Sequence, residues 1–241
     1  MAGNIEQVNK LVLVKPFKSR YNGEIGDVVV GRITGLFEKR WVVDIKARQE
    51  ARLLLSSINL PGGVQRRKSE SDERAMRSFF TEGDMLSAEV HSFSQDGSAS
   101  LHTRSIEYGK LRNGALVVVP SAQIKRSKSH FLTLSCGVDV VLGVNGYIWV
   151  SKHTEIAPEM ANQPEGLYSN ENSVISDAER ETIARVCNCI AVLGRQGCQV
   201  HETSIAYAFE ASLDYPIKDL TLPDIQSSIK QLVDSRMQEL L

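Results

Sequence analysis

The residues of this chain with the clearest capacity for chemistry are aromatic and cationic side chains on strand-like segments. Arg32, Phe37, Lys39, Arg40 and Trp41 interleave two aromatic rings with three cations. Unpaired bases stack on aromatic faces and cations follow phosphates, so this pattern fits single-strand nucleic-acid binding. The alternative places Trp41 in a barrel core and Phe37 in a turn. In ASLHTR (residues 99–104), His102 and Arg104 alternate with Leu101 and Thr103. If one parity faces a core, His102 and Arg104 share the opposite face. Two basic runs, Arg66-Arg67-Lys68 and Lys125-Arg126-Ser127-Lys128, are either solvated loops or phosphate contacts. In the company of the aromatics they favour a polyanion.

A fourth candidate is Gly143-Val144-Asn145-Gly146. A Gly-x-x-Gly loop allows close backbone approach and is the loop with which KH domains clamp nucleotides. Such a loop ordinarily opens a helix, whose N-terminus helps to hold phosphate. Here Tyr147-Ile148-Trp149-Val150 follows, an aromatic and β-branched run that prefers a strand. Any grip on a ligand is therefore expected to be weak, and a plain hairpin turn is the competing reading.

Catalytic patterns are missing from the sequence. It has no phosphate-binding P-loop, no Gly-x-Ser-x-Gly elbow and no His-Glu-x-x-His. The five histidines share no spacing, and the acids scatter over the C-terminal part. No enzyme, cofactor, metal or small-molecule substrate is expected. Cys136, Cys187, Cys189 and Cys198 do not make a disulfide framework or an ordinary zinc spacing. They read as buried thiols of a reducing compartment. Met1 to Lys10 lacks the cationic start and apolar run of a secretory signal, and the apolar stretch 138–150 is broken by Asp139, Gly143 and Asn145. No membrane association is expected.

The elements that must position these residues follow from periodicity. Residues 5–26 read as a strand and a turn. Segments 27–34 (DVVVGRIT), 41–45 (WVVDI), 51–56 (ARLLLS), 85–93 (MLSAEVHSF) and 99–104 have strand character. Gly31 marks a bulge or a close approach, and Asp96-Gly97 a tight hairpin. Between the third and fourth strands, Ala75, Met76, Phe79 and Phe80 form the apolar stripe of a helical segment within 69–80. Five strands with a helical insertion at that place is the layout of an OB barrel.

From Lys110 the pattern becomes α+β. Three further strands are expected at 115–119, 131–134 and 138–150. A helix follows from the capping box Ser176-Asp177-Ala178-Glu179, with Ile183, Val186, Ile190 and Leu193 on one face and Gly194 and Gly197 stopping it. A second helix covers 203–213. A third starts at Thr221-Leu222-Pro223, with Ile225, Ile229, Leu232, Val233 and Leu240 as its apolar face. Net charge is −1 but segregated: residues 105–152 hold six Lys or Arg against two Asp or Glu, whereas 153–241 hold six against fourteen. A basic middle and an acidic end suggest a polyanion partner at one place and a protein at another.

Several ordered runs carry a family resemblance: GDVVVGRIT with Lys39-Arg40-Trp41, LLLSSINLPGG (53–63), AMRSFFTEG (75–83), Ala88-Glu89-Val90, DGSASLHTRSIEYGKL (96–111), LGVNGYIW (142–149) and TSIAYAFEASLDYPIKD (203–219). The chain resembles the RNA exosome cap subunits of the ribosomal-RNA-processing-protein-four type, from about Val8 to Asp219. The resemblance implies a remnant of an N-terminal domain at 1–25, an OB domain of ribosomal-protein-S-one type at 26–105 and a KH-like domain with C-terminal helices at 106–241. It implies a non-catalytic protein that threads single-stranded RNA toward a nuclease bound elsewhere. The implied partners are a ring of RNase-PH-like subunits and other cap proteins, with roles in rRNA maturation and RNA decay in nucleus, nucleolus and cytoplasm. The family carries a longer segment before Val8, so docking through the first domain is expected to be altered. The other class of function the sequence leaves open is a scaffold using the barrel and KH faces for protein contacts.

Overall fold

A computed structural model of the chain describes residues 3–16, 20–58, 70–105, 107–153, 168 and 172–238. The chain opens with an antiparallel hairpin, β1 (Gly3–Val8) and β2 (Leu11–Pro16). Asn9 turns it in the left-handed region, φ 56°, a conformation Asn tolerates better than most side chains. The segment expected to hold one strand thus holds two.

Strands β3 (Val28–Phe37), β4 (Arg40–Asp44), β5 (Ala51–Ile58), β6 (Met85–Phe93) and β7 (Ala99–Thr103) form a closed barrel. Closure comes from β3, which pairs with both β4 and β6, and from the parallel pairing of β5 with β7. Alternate residues point inward: Val29 and Ile33, Trp41 and Val43, Leu53 and Leu55, Leu86, Ala88 and Val90 all belong to one apolar core. Two short helices, α1 (Glu70–Arg74) and α2 (Met76–Phe79), precede β6, and α2 contributes Met76 and Phe79 to that core. This is the OB layout expected from the five strands and their insertion. Gly31 is a close-approach glycine, since a Cβ there would lie 2.5 Å from Val43 Cγ1. The bulge itself falls between Ile33 and Gly35.

Strand β8 (Gly109–Leu111) adds to the edge of β6 and leads into an antiparallel sheet of β9 (Gly114–Val118), β10 (Phe131–Leu134), β11 (Val138–Leu142) and β12 (Tyr147–Lys152), ordered β10-β11-β12-β9. The stretch 138–150 is therefore two strands, separated by the glycine-rich turn. Helices α3 (Asp177–Gln196), α4 (Glu202–Ser212) and α5 (Pro223–Gln238) cover one face, joining Val140, Leu142, Ile148 and Val150 to Val186, Ile190, Ile205 and Ile229 in a second core.

The capping box at Ser176 forms as expected: its side chain accepts from Glu179 N, and Glu179 accepts from Ser176 N at 2.8 Å. Gly197, at φ 75°, ends α3. Gly194 does not; it lies inside the helix, where a Cβ would meet Val119 Cγ1 at 2.8 Å. Pro223 is the first residue of α5, but Thr221 is no cap, its hydroxyl donating to Lys218 O within a 3-10 turn. Ile229 and Val233 are buried and Leu232 is exposed, while Leu240 lies outside the described residues.

The face of the second sheet away from the helices packs on the barrel. Val30 and Met85 of the barrel meet Val141 and Trp149, with Leu111, Leu116, Phe131 and Tyr147 around them.

Candidate nucleic-acid interface

The glycine-rich turn between β11 and β12 enters this seam. Asn145 is fully buried; its Nδ2 donates to Val30 O at 2.7 Å and Ile45 O at 2.9 Å, and its Oδ1 accepts from Val30 N at 3.3 Å. Val144 donates its backbone N–H to Val28 O at 2.9 Å, and its side chain joins the barrel core. At Gly143 a Cβ would lie 2.9 Å from Val30 N, and at Gly146, φ +87°, 2.3 Å from Val119 O. Both glycines are thus required by backbone packed against backbone. The turn is a bolt between the two halves of the molecule. Gly143, Val144, Asn145 and Gly146 are all buried, with the Val144 amide bonded to Val28 O and those of Gly143 and Gly146 to Tyr147 O and Gly143 O, which argues against their place in the RNA-binding set. The strand that follows also leaves the turn without a helix dipole.

Trp41 is a second correction. It has no exposed surface; its Nε1 donates to Phe80 O at 3.2 Å and its ring meets the Phe80 ring edge-on at 5.4 Å. The parity of β4 decides this, since Trp41 and Val43 point inward while Arg40, Val42 and Asp44 point outward. A base cannot stack on an enclosed ring.

The outer face of β3 and β4 is different. Phe37 is 57% exposed, with the Arg40 guanidinium carbon 5.7 Å from its ring centre. The register sets Phe37 beside Arg40, Arg40 beside Leu54 and Arg32 beside Asp44 on one surface. Arg32 and Lys39 are exposed. Lys39 pairs with Glu73 at 2.9 Å, and this carboxylate raises the ammonium pKa. Arg40 lies 3.4 Å from Glu38. Glu38 and Lys39 both adopt positive φ, 42° and 63°, which gives the tight turn needed between twisted strands. Two residues of this surface escaped the sequence reading. Lys46 donates to Val119 O at 3.1 Å and sits 5.6 Å over the Tyr147 ring, and partial burial lowers its pKa. Tyr147 in turn donates to Asp44 at 3.2 Å. Neither lies in a run of like residues, so only the fold brings them to Arg32.

On β7 the expected parity holds: Leu101 and Thr103 are buried, and His102 and Arg104 share the outer side. His102 Nε2 is 3.9 Å from Glu89 Oε1, and burial holds the imidazole below its usual pKa despite that carboxylate. Tyr108 donates to the same Glu89 at 2.9 Å; burial first and that hydrogen bond second push its phenol pKa up.

The basic run 125–128 divides in two. Lys125 and Lys128 are exposed. Arg126 instead ties the halves together, pairing with Glu24 and with buried Asp27 at 3.1 Å, where Tyr21 also donates at 2.7 Å. Arg66, Arg67 and Lys68 lie outside the described residues. Among the described residues no group of three or more His, Cys, Asp or Glu could hold a metal ion, and no helix is long and apolar enough to cross a membrane. Burial pushes the Cys187 and Cys189 thiols up to about 11, far from the thiolate form that binds metals.

The arrangement is therefore a cation-and-aromatic surface on an OB barrel, bolted to an α+β unit. Comparison with known proteins agrees with both halves. The family described as "RRP4, S1 domain" matches residues 20–92, and that described as "KH domain" matches residues 114–156. The chain is 51% identical to exosome complex component rrp4 of Schizosaccharomyces pombe, over 92% of this chain and 70% of that protein. It is 48% identical to exosome complex component RRP4 of Bos taurus, over 99% and 80%. With exosome complex component RRP4 of Saccharomyces cerevisiae the identity is 44%, over 95% and 73%. A barrel and a KH unit in this order, and likeness of this extent, place the chain in the RRP4 family of exosome complex components.

Proposed function

We propose that this protein is a non-catalytic, RNA-binding cap subunit of an RNA exosome, guiding single-stranded RNA to an exoribonuclease carried by other subunits. The observation that carries the reading is the outer barrel face. Phe37 offers an open ring with the Arg40 guanidinium carbon 5.7 Å from its centre, Lys39 adjoins Arg40 in the turn, and Arg32 lies further along the outer side of β3. Stacking with backbone tracking is the physics of sequence-tolerant single-strand binding. The partners that fit are RNase-PH-like ring subunits and the other cap proteins, and the places of action are nucleus, nucleolus and cytoplasm, in rRNA maturation and RNA decay. These finer assignments rest on the resemblance of the chain to its family.

Binding by the isolated chain should be weak and strongly salt-dependent. One open ring contributes about 1–3 kcal/mol. Each phosphate neutralised adds roughly −0.7 to the log–log salt slope on a single strand. Processive handling then comes from the assembly, where several such surfaces raise the effective concentration. Titration of single-stranded RNA at two salt concentrations tests this. Nanomolar binding to one sequence that survives high salt would contradict a threading role. Labelled RNA incubated with the chain and magnesium, manganese or phosphate should remain intact, and shortening abolished by mutating the chain's own carboxylates would contradict the non-catalytic reading.

A further inference from the structure

We propose that His91, His102, Tyr108 and Phe131 form a stacking track for unpaired RNA bases that runs off the barrel onto the second sheet. This rests on the RNA-binding reading above and assigns that reading a second surface. The four rings come from three separate places: β6, β7 with the segment after it, and β10. They nevertheless follow one another in space, with ring centres 5.6 Å apart from His91 to His102, 6.3 Å from His102 to Tyr108 and 5.6 Å from Tyr108 to Phe131.

The steps exceed the rise of stacked bases, ~3.4 Å, but are too short to admit a base between two rings, which suits a strand whose bases are drawn apart and lie along the row. The rings meet at 66°, 75° and 56°. His91 and Phe131, at the two ends, each touch one ring of the row while His102 and Tyr108 touch two, so a ligand meets the row from its solvent side. The row is not part of a core. His91 is exposed, Tyr108 and Phe131 are partly so, and the His102 side chain keeps 15% of its surface as a link between its neighbours; of the four rings only Phe131 leans on an apolar cluster.

The charges beside the row set the orientation of the RNA. Glu89 lies in its middle, 2.9 Å from the Tyr108 hydroxyl and 3.9 Å from His102. A carboxylate there repels phosphate and accepts hydrogen bonds from the exocyclic amines of bases. Arg104 shares the outer side of the sheet with His102, and Glu107 adjoins Tyr108. Bases therefore lie inward over the rings and phosphates outward. The track begins on the barrel and ends on β10, so an RNA using it touches both halves of the molecule at once.

The test is fluorescence anisotropy of a labelled oligoadenylate with the full chain at low salt. Replacing Tyr108 and Phe131 together by Leu keeps apolar volume at the seam and removes the π faces. Affinity should fall roughly five- to hundredfold for each stacked ring lost, while Tyr108→Phe, which keeps the ring, should bind like the parent. If the parent binds and the double Leu variant binds equally well, the track is overturned and the barrel-face reading stands. If the parent binds no RNA, both fall. Should the double variant not fold, two measurements that leave the seam intact decide the matter. His91→Ala removes an exposed ring and should weaken binding, and thiouridine-bearing RNA should photocrosslink to His91, Tyr108 or Phe131 of the parent. Crosslinks confined to residues 32–40 would overturn the proposal.

Discussion

Two hairpin turns in this molecule look equally suited to a nucleic acid and have opposite fates. Glu38-Lys39 joins β3 to β4 at the open end of the barrel, carries charge and stays in solvent beside exposed Phe37. Gly143–Gly146 joins β11 to β12, has the loop spacing that clamps nucleotides in other proteins, and is buried with Asn145 fully enclosed. The lesson is that glycine spacing reports a need for close backbone approach and does not say to what. Here the close neighbour is the backbone of Val28 and Val30. Charge with non-glycine positive φ, the less conspicuous signal, marks the turn that remains available.

The largest effect is expected at Trp41, the enclosed ring on the far side of the Glu38-Lys39 turn from Phe37. Trp41→Ala should destabilise by about 3–5 kcal/mol, as deletion of a large buried aromatic does, and a denaturant titration reads it. A loss of RNA affinity without a loss of stability would return this ring to the binding face. Next comes Asn145→Ala, which removes three buried hydrogen bonds and should cost about 2–4 kcal/mol. A variant of unchanged melting temperature would show that the turn is no bolt.

Arg126→Ala should have a smaller effect. Its bridge to Glu24 is solvent-exposed, and Asp27 keeps the Tyr21 hydroxyl and Glu24 N as donors. Loss of one charged partner from the buried Asp27 carboxylate should cost about 1–3 kcal/mol, with RNA affinity little altered; a large affinity loss would make the basic run 125–128 a contact site as a whole.

The smallest effect is a slope. Burial holds the imidazoles of His130, His102 and His201 below their usual pKa. For His130, burial outweighs the raising influence of Leu142 O, which its Nδ1 meets at 2.9 Å, and of Asp27; nearby Arg126 lowers it further. The unfolded chain therefore takes up protons that the folded chain refuses. Stability is whole above the ordinary histidine value, ~6.5, and is lost as pH falls through it toward the depressed folded values. Melting temperature recorded between pH 8 and pH 5 should decline on the acid side. His130→Asn, which keeps a side-chain donor for Leu142 O, should flatten part of that decline. Equal slopes for the two proteins would contradict the role given to His130.

Much of the fold was legible because β4, β5 and β7 alternate buried and outward residues, because β3 is dense in valine, and because Ser176 and Glu179 spell a cap whose physics is local. The places where reading failed are those decided across distance. Trp41 and Phe37 sit four residues apart, and a bulge between Ile33 and Gly35, together with the turn at Glu38-Lys39, sets one inward and the other outward. Gly194 reads as a helix stop until Val119 is seen against it. The rings of His91, Tyr108 and Phe131 share no local pattern, so only the pairing of β6 with β7 and the docking of the second sheet reveal them as neighbours. Asn145 lies 115 residues from Val30 in the chain, and nothing near it in sequence announces that partner.

The most direct test of the account sets Phe37→Ala beside Asn145→Ala and measures both melting temperature and single-stranded RNA affinity for each. The account predicts a crossed result. Phe37→Ala should melt like the parent and bind roughly five- to hundredfold more weakly. Asn145→Ala should melt earlier yet, at a temperature where it is still folded, retain the parent's contribution from the barrel face. If Asn145→Ala abolishes binding while fully folded and Phe37→Ala leaves it unchanged, the glycine-rich turn is the RNA clamp after all and the assignment of the two turns is reversed.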